Sequence, residues 1–270
     1  MAIRIVQSKQ NARVKELRSA LQRPSRGDAE LIGLEGPHLI AEALNSGVEL
    51  ETVFVAQGHE HLIAQLGLKE STEILAVTYE VLASAVTTEG PQPIAALTHP
   101  RHWPWAELLT PGALVMVLAG IQDPGNLGTI LRSAEAFGAS GVICLPGTVS
   151  RWNAKAMRAS AGSVFRLPVL TASEAKCFQH LREAGIPTLA AMAHEATPVG
   201  EHNLAGPVAL FIGTEGAGLS PELAAQCDAR ITIPCPGPVE SLNAAVAASV
   251  LLYEAARQRA RQTPAAPRPV

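Results

Sequence analysis

The stretch Ile233-Pro-Cys-Pro-Gly-Pro-Val-Glu-Ser-Leu-Asn-Ala-Ala-Val-Ala247 carries the chain from a strand into a helix through three prolines and a glycine. Ile231 to Ile233 read as the end of the strand. Glu240, Ser241, Leu242 and Asn243 open an Ala-rich helix that runs to about Arg261. Proline fixes φ and removes a backbone donor. So stiff a loop offers carbonyl oxygens and apolar surface, not the row of N–H groups that holds an anion at a helix start. Ser241 in the first turn reads either as the N-cap of that helix or, like Asn243, as a side chain aimed into a site.

Outward from that stretch, the second half alternates apolar strands with helices. ALVMVLAG, GVICL, RLPVL, TLAAMA, VALFIG and ARITIP read as strands; TILRSAEAFG, KAMRASAG and SEAKCFQHLREAG read as helices. This pattern implies a mostly parallel sheet covered on both faces. Ligands of such sheets bind outside the carboxyl ends of the strands. Two more strand ends carry unusual loops, LAGIQDPGNLGTILRSAEAFG (118–138) and FIGTEGAGLS (211–220). Singly, each has a plain reading. DPGNLG suits a turn in which Gly125 and Gly128 take unusual backbone angles. TEGAGLSPEL suits a loop ended by Ser220 as a helix cap and Pro221 at the first helical position. Arg132 lies off the stripe Leu127, Ile130, Leu131, Ala134 and Phe137, and pairing with Glu135 is enough to explain it.

The first half reads as a smaller α/β unit: LIGLEG, LETVFVA, EILAVT and PQPIAAL as strands, with HLIAEALNSG as a helix closed by Gly47. Before it, residues 1–28 are locally basic. Arg4, Lys9, Arg13, Lys15, Arg18, Arg23 and Arg26 face only Glu16 and Asp28. Val14, Leu17 and Leu21 give that segment a weak helical stripe, so it is either a solvated helix face or an arm that touches phosphates. The Pro- and Trp-rich residues 99–111 read as a linker. The expected organisation is a basic segment 1–28, a small domain 29–98, the linker 99–111, a sheet domain 112–262 and a tail 263–270 expected to be disordered.

Composition narrows the function classes. A net charge of −3 argues against a globally basic nucleic-acid coat and leaves room for local patches. Cys144, Cys177, Cys227 and Cys235 have no CxxC spacing, and the pairs His59/His61 and His99/His102 lack partners at metal spacing, so no metal site is expected. The N-terminus has no apolar core of a signal peptide, and the apolar runs are far below the ~18–20 residues of a membrane span, so a cytoplasmic location is expected. The pattern of a nicotinamide-dependent oxidoreductase fits the alternation but lacks its glycine fingerprint.

Taken together, the motifs resemble the SpoU/TrmH family of RNA ribose 2′-O-methyltransferases in the SPOUT superfamily. Asn126, Gly128 and Arg132 match its Asn-x-Gly-x-x-x-Arg segment. Gly213, Glu215, Gly216 and Gly218 match Gly-x-Glu-Gly-x-Gly. Ile233, Pro234, Glu240, Ser241, Leu242 and Asn243 match Ile-Pro…Glu-Ser-Leu-Asn. Lys155, Arg158, Ser160 and Gly162 are similar to a further Lys…Arg-x-Ser-x-Gly stretch. The motifs stand in family order across the second half. PQPIAAL is similar to the exit of the family's substrate-binding domain, with Pro93 where glycine is usual.

The resemblance implies an α/β protein whose C-terminal methyltransferase domain is a parallel sheet tied in a trefoil knot. It also implies a smaller N-terminal, ribosomal-protein-like α/β domain that binds the substrate. It implies S-adenosyl-L-methionine as cofactor, with Gly213, Ile233 and Leu242 lining the adenosyl pocket and Ala191 and Met192 near it. It implies transfer of the methyl to a ribose 2′-hydroxyl, with Asn126, Arg132, Glu215, Ser241 and Asn243 in the catalytic site. Arg13, Lys15, Arg18, Lys155, Arg158 and Ser160 are the expected RNA contacts. The expected substrate is large-subunit (23S) ribosomal RNA, with tRNA the alternative. A homodimer through the knotted domain is expected too. The non-enzymatic alternative is an RNA-binding scaffold that has lost catalysis; the intact Asn126, Arg132, Glu215 and Asn243 argue against it.

Overall fold

In the computed structural model, which describes residues 3–22, 31–86, 88, 90–214, 216–239 and 241–262, the apolar runs form two separate sheets. The described residues group into two units. One extends to His102 and includes Ser150–Arg166; the other holds Trp103–Val149 and the chain from Leu167 onward.

The first unit starts with β1 (Ile3–Val6) and α1 (Ala12–Gln22). Then come β2 (Ile32–Glu35), α2 (Pro37–Asn45), β3 (Leu50–Ala56), α3 (His61–Ala64), β4 (Glu73–Val77), α4 (Tyr79–Ala83) and β5 (Ile94–Thr98). The sheet order is β1-β4-β3-β5-β2, with β5 antiparallel to both neighbours and the other pairs parallel. The N-terminal basic segment is therefore not a separate arm over its described residues. β1 is an edge strand beside β4, and α1 buries Val14, Leu17, Ala20 and Leu21 in the core with Phe54, Leu75 and Leu97. A strand as short as IRIV has too few residues for its period to show, which is why only the helical stripe was legible. Arg23, Arg26 and Asp28 lie outside the described residues.

The second unit begins inside the expected linker. Trp103 is buried there, and α5 (Trp105–Leu108) drives Leu108 fully into the core. Next come β6 (Leu114–Leu118), α6 (Pro124–Ala136) and β7 (Gly141–Cys144). The chain then leaves this sheet for α7 (Ala154–Ala159) and α8 (Ser163–Arg166), which belong to the first unit. There Arg166 pairs with Glu42 at 2.8 Å, and Trp152 stacks on Phe165. The chain returns as β8 (Val169–Thr171), α9 (Glu174–Glu183), β9 (Thr188–Ala191), β10 (Thr197–Pro198), β11 (Val208–Ile212), α10 (Pro221–Gln226), β12 (Ala229–Thr232) and α11 (Ala244–Gln262).

These strands make a sheet in the order β10-β12-β9-β11-β6-β7-β8, parallel at every pairing. Each residue of β6 is fully buried, as a strand covered on both faces must be. Phe178 of α9 stacks on Phe211 of β11 at 5.1 Å between ring centroids, and α11 packs along α6. Two helix starts differ from expectation. Pro124-Gly125-Asn126-Leu127-Gly128 is the first turn of α6, so the plain turn reading of DPGNLG is corrected. The cause is Asp123, whose Oδ1 accepts from the Asn126 N–H at 2.9 Å while Pro124 takes the first helical position. The last helix begins at Ala244, after Ser241, and its cap is Asn243.

Candidate active site

The carboxyl ends of β6, β9, β11 and β12 bring the unusual loops to one side of the second sheet. Because Asp123 fixes the start of α6, Asn126 is held in its first turn. Asn243 uses Oδ1 to accept from the Ala245 and Val246 N–H groups at 2.9 and 3.3 Å, which caps α11. Its Nδ2 donates to Asn126 Oδ1 at 3.2 Å. Two residues 117 positions apart thus meet where two helices begin. The seam continues down both helices through Ser133 and Ser249, whose hydroxyls lie 2.7 Å apart, and through the edge-to-face pair Phe137 and Tyr253. Arg132 stands exposed on α6.

Beside this pair lies a cavity of about 540 Å³. Ala191 and Met192 of the β9 end, Gly213 after β11, Ile233 after β12, and Ser241 and Leu242 before α11 all line it. All five expected cofactor residues are therefore brought together. Leu242 and Ala244, the neighbours of Asn243, are both in its wall. At Gly213 the backbone is so close to the next turn that a Cβ would overlap the Gly218 carbonyl and the Leu219 nitrogen. That turn is tight because Thr214 and Gly218 exchange both backbone hydrogen bonds, each at 3.0 Å. Ile212, Leu219 and Val239 add apolar surface, and the prolyl Pro234 adds no donor. Among the described lining residues none is Lys or Arg. An apolar slot with backbone groups at its edges and no cationic wall suits a flat nucleoside that bears a positive charge. Thr214, inside the Gly-x-Glu-Gly-x-Gly segment, lines the cavity too, as do His194 and Glu195, which no sequence motif marked.

Glu215 lies outside the described residues. The expected RNA contacts are placed unevenly. Lys15, Lys155 and Arg158 are exposed. Arg13 instead gives Nη1 to Glu16 at 2.9 Å and Glu51 at 2.7 Å, and Nε to Glu73 at 3.0 Å. The hydrogen bond it donates to Glu16, with that to Glu51 and the charges of both carboxylates, holds the Arg13 guanidinium above its ordinary range against the opposing effect of burial. Arg18 donates to the Ser84 carbonyl and hydroxyl. Ser160 is fully buried and spends its hydroxyl on the Met157 carbonyl. These three side chains have hydrogen-bond partners within the fold. Arg151, which the sequence did not single out, is buried with its guanidinium over the Trp152 ring at 4.8 Å.

Cys144 and Cys177 are buried; Cys227 and Cys235 are half-buried. Burial pushes the thiols of Cys177 and Cys227 up to about 12, which suits inert thiols. No group of three or more metal-ligating side chains occurs among the described residues.

Comparison with known proteins matches residues 113–253 to the SpoU rRNA Methylase family and residues 11–96 to the MRM3-like substrate binding domain. The 23S rRNA (guanosine(2553)-2'-O)-methyltransferase RlmP of Bacillus subtilis (strain 168) is 30% identical over 248 residues, covering 92% of this chain and 97% of that protein. The SpoU methyltransferase AviRb from Streptomyces viridochromogenes, solved in complex with AdoMet, superposes with a TM-score of 0.83 at 28% identity over 93% of this chain and 99% of that one. An AdoMet-bound rRNA methyltransferase from Sinorhizobium meliloti superposes with a TM-score of 0.81 at 31% identity over 94% and 98%. With the motif loops after β11 and β12 gathered at one cavity and more than half of its length matched, the chain belongs to the SpoU rRNA methylase family.

Proposed function

We propose that this protein methylates a ribose 2′-hydroxyl of large-subunit ribosomal RNA, using S-adenosylmethionine. The observation that carries the reading is the cavity whose wall adjoins the Asn126–Asn243 pair. Family membership and the Bacillus subtilis relative, named for 23S rRNA, favour ribosomal RNA over tRNA. The match of residues 11–96 to a substrate-binding domain supports the first unit as the part that holds RNA.

Gly213, Ile233, Leu242, Ala191 and Met192 would hold the cofactor, which supplies an electrophilic methyl on a sulfonium when bound. The chain's own task is to orient the ribose hydroxyl and ease the loss of its proton. Asn126, Ser241 and Asn243 offer neutral hydrogen bonds for that orientation. Arg132 is the cation of the set. An arginine guanidinium only donates hydrogen bonds and stays protonated at neutral pH, so it is a poor base. Its role is therefore to grip the phosphate beside the target ribose and stabilise the developing alkoxide. Glu215 orients Arg132 or Asn126 in this reading. Lys15, Lys155 and Arg158 supply exposed charge for the RNA backbone.

The same reading takes the second unit as a trefoil knot and the protein as a cytoplasmic homodimer. Val246 and Tyr253 of α11 are half exposed and, with Phe137 and Val250, border an apolar groove of about 280 Å³ along the α6–α11 seam. That open apolar face, which a second copy would cover, is what supports dimerisation through this domain. Among the described residues no helix is long and apolar enough to cross a membrane.

A ribose-methylation map of cells with and without the protein tests the function. Loss of one site in large-subunit rRNA is expected. Loss of a tRNA site would move the substrate, and no lost site alongside intact cofactor binding would favour the scaffold.

A further inference from the structure

The loop after β9 belongs to none of the sequence motifs, yet it forms one wall of the cavity. It is tethered to β12 on both sides. Met192 N–H donates to the Ile231 carbonyl at 2.8 Å, and Thr232 Oγ1 donates to the Ala193 carbonyl at 3.2 Å. Then Thr197 pairs with Ile231 in the β10–β12 register. Only His194, Glu195 and Ala196 span the gap between these anchors, and the span closes through a left-handed residue, Glu195, at φ 54°. Glycine or asparagine takes that angle with less strain. A strained, non-glycine residue held over a ligand cavity points to use of its side chain. Among the described residues lining the cavity, Glu195 is the only carboxylate.

Its position says which part of a ligand it meets. In the sheet, β9 lies on the far side of β11 from β6, and the loop after β6 leads to Asn126. The reacting methyl belongs at the Asn126–Asn243 side, so Glu195 comes in from the opposite side. The side chain is exposed, so long-range attraction there is screened, and direct hydrogen bonding is what it has to offer. We propose that the Glu195 carboxylate accepts hydrogen bonds from donors on the non-reacting part of the cofactor, the ribose diol or the α-ammonium group, and so sets cofactor affinity. This rests on the cofactor reading above.

The test is calorimetric titration of the full chain, wild type, Glu195→Gln and Glu195→Gly, with S-adenosylhomocysteine and with 5′-methylthioadenosine, which keeps the ribose and lacks the ammonium. Melting temperatures are taken on the same samples. Glu195→Gly should weaken S-adenosylhomocysteine about tenfold, with a melting temperature equal to or above wild type because the turn is relieved. Glu195→Gln, which keeps the strain, should weaken it too. If 5′-methylthioadenosine weakens in parallel, the partner is the ribose diol. If it is unchanged while S-adenosylhomocysteine weakens, the partner is the ammonium. Affinities of both variants within twofold of wild type for both ligands would overturn the proposal and leave the cofactor reading standing. A wild type that binds neither ligand would overturn both.

Discussion

The side-chain amide of Asn243 caps α11 with its oxygen and reaches Asn126 with its nitrogen. The two roles separate by substitution. Asn243→Ala loses both, and the cap alone is worth about 1 kcal/mol. Asn243→Asp keeps an acceptor for the helix N–H groups and loses the donor to Asn126. Thermal melts should therefore show Asn243→Ala destabilised and Asn243→Asp close to wild type, while single-turnover methylation falls at least tenfold in both. Wild-type rates in Asn243→Asp would reduce Asn243 to a cap. Arg132 poses the cleaner chemical question, because it is exposed on α6 and its loss should leave the fold alone. Arg132→Ala is expected to abolish methyl transfer with cofactor affinity nearly intact. Activity within tenfold of wild type would remove Arg132 from the site.

At the scale of elements, two joints tie the sheet together at the amino ends of its strands, and each predicts a measurable loss. Arg259 near the end of α11 donates to the carbonyls of Leu204, Gly112, Ala113 and Gly206, at 2.6 to 3.3 Å. Burial lowers its pKa, and the charge persists because four carbonyl oxygens face it. Arg259→Met should cost about 2 kcal/mol, since hydrogen bonds to a charged group are worth ~1.5–3 and the carbonyls are left without this donor. Denaturant melts check it. At the other joint, Asp228 Oδ2 accepts from both Thr188 N–H and Oγ1 at 2.8 Å, pinning the start of β12 to the start of β9. The Thr188 backbone N–H, the first of these donors, holds the Asp228 carboxyl below its ordinary value. A depressed folded pKa means the stabilisation is complete above the unfolded value near ~3.9 and fades as pH falls through the folded one. Between pH 5 and pH 2 the wild type should lose more stability than Asp228→Asn, and equal acid slopes would refute that assignment. Legibility at this scale followed local physics. Strands such as β6 and β11, apolar throughout, announced themselves. The start of α6 did not, because Pro-Gly in Asp123-Pro-Gly-Asn126 reads as a turn until Asp123 is weighed as a cap. Ser241 was the expected cap of α11, and the side-chain geometry gives that role to Asn243, whose Oδ1 meets the helix N–H groups.

For the whole molecule, the five expected cofactor residues share one cavity because the ends of β9, β11 and β12 and the start of α11 come together there. What periodicity did not carry was the long-range packing. Residues 150–166 leave the second sheet and join the first unit, where Arg166 pairs with Glu42. No local pattern encodes that partner. For the same reason the basic N-terminal segment looked uniform in sequence, yet its charges divide into two kinds. Arg13, bonded to three carboxylates, and Arg18, bonded to Ser84, serve the fold, whereas Lys15 is exposed, as are Lys155 and Arg158 on α7. The last prediction separates these kinds. Reversing Lys15, Lys155 and Arg158 together to Glu should weaken RNA binding and reduce the slope of log K against log salt by roughly 0.7 to 0.9 for each phosphate contact removed, with the melting temperature unchanged. Arg13→Ala should do the opposite: it strands Glu16, Glu51 and Glu73 and lowers stability, while the salt slope of the folded protein stays as in wild type. Filter binding over a salt series, run beside thermal melts, measures both. An unchanged slope in the triple variant would place the RNA elsewhere on the molecule, and a shallower slope in Arg13→Ala would return Arg13 to the RNA surface.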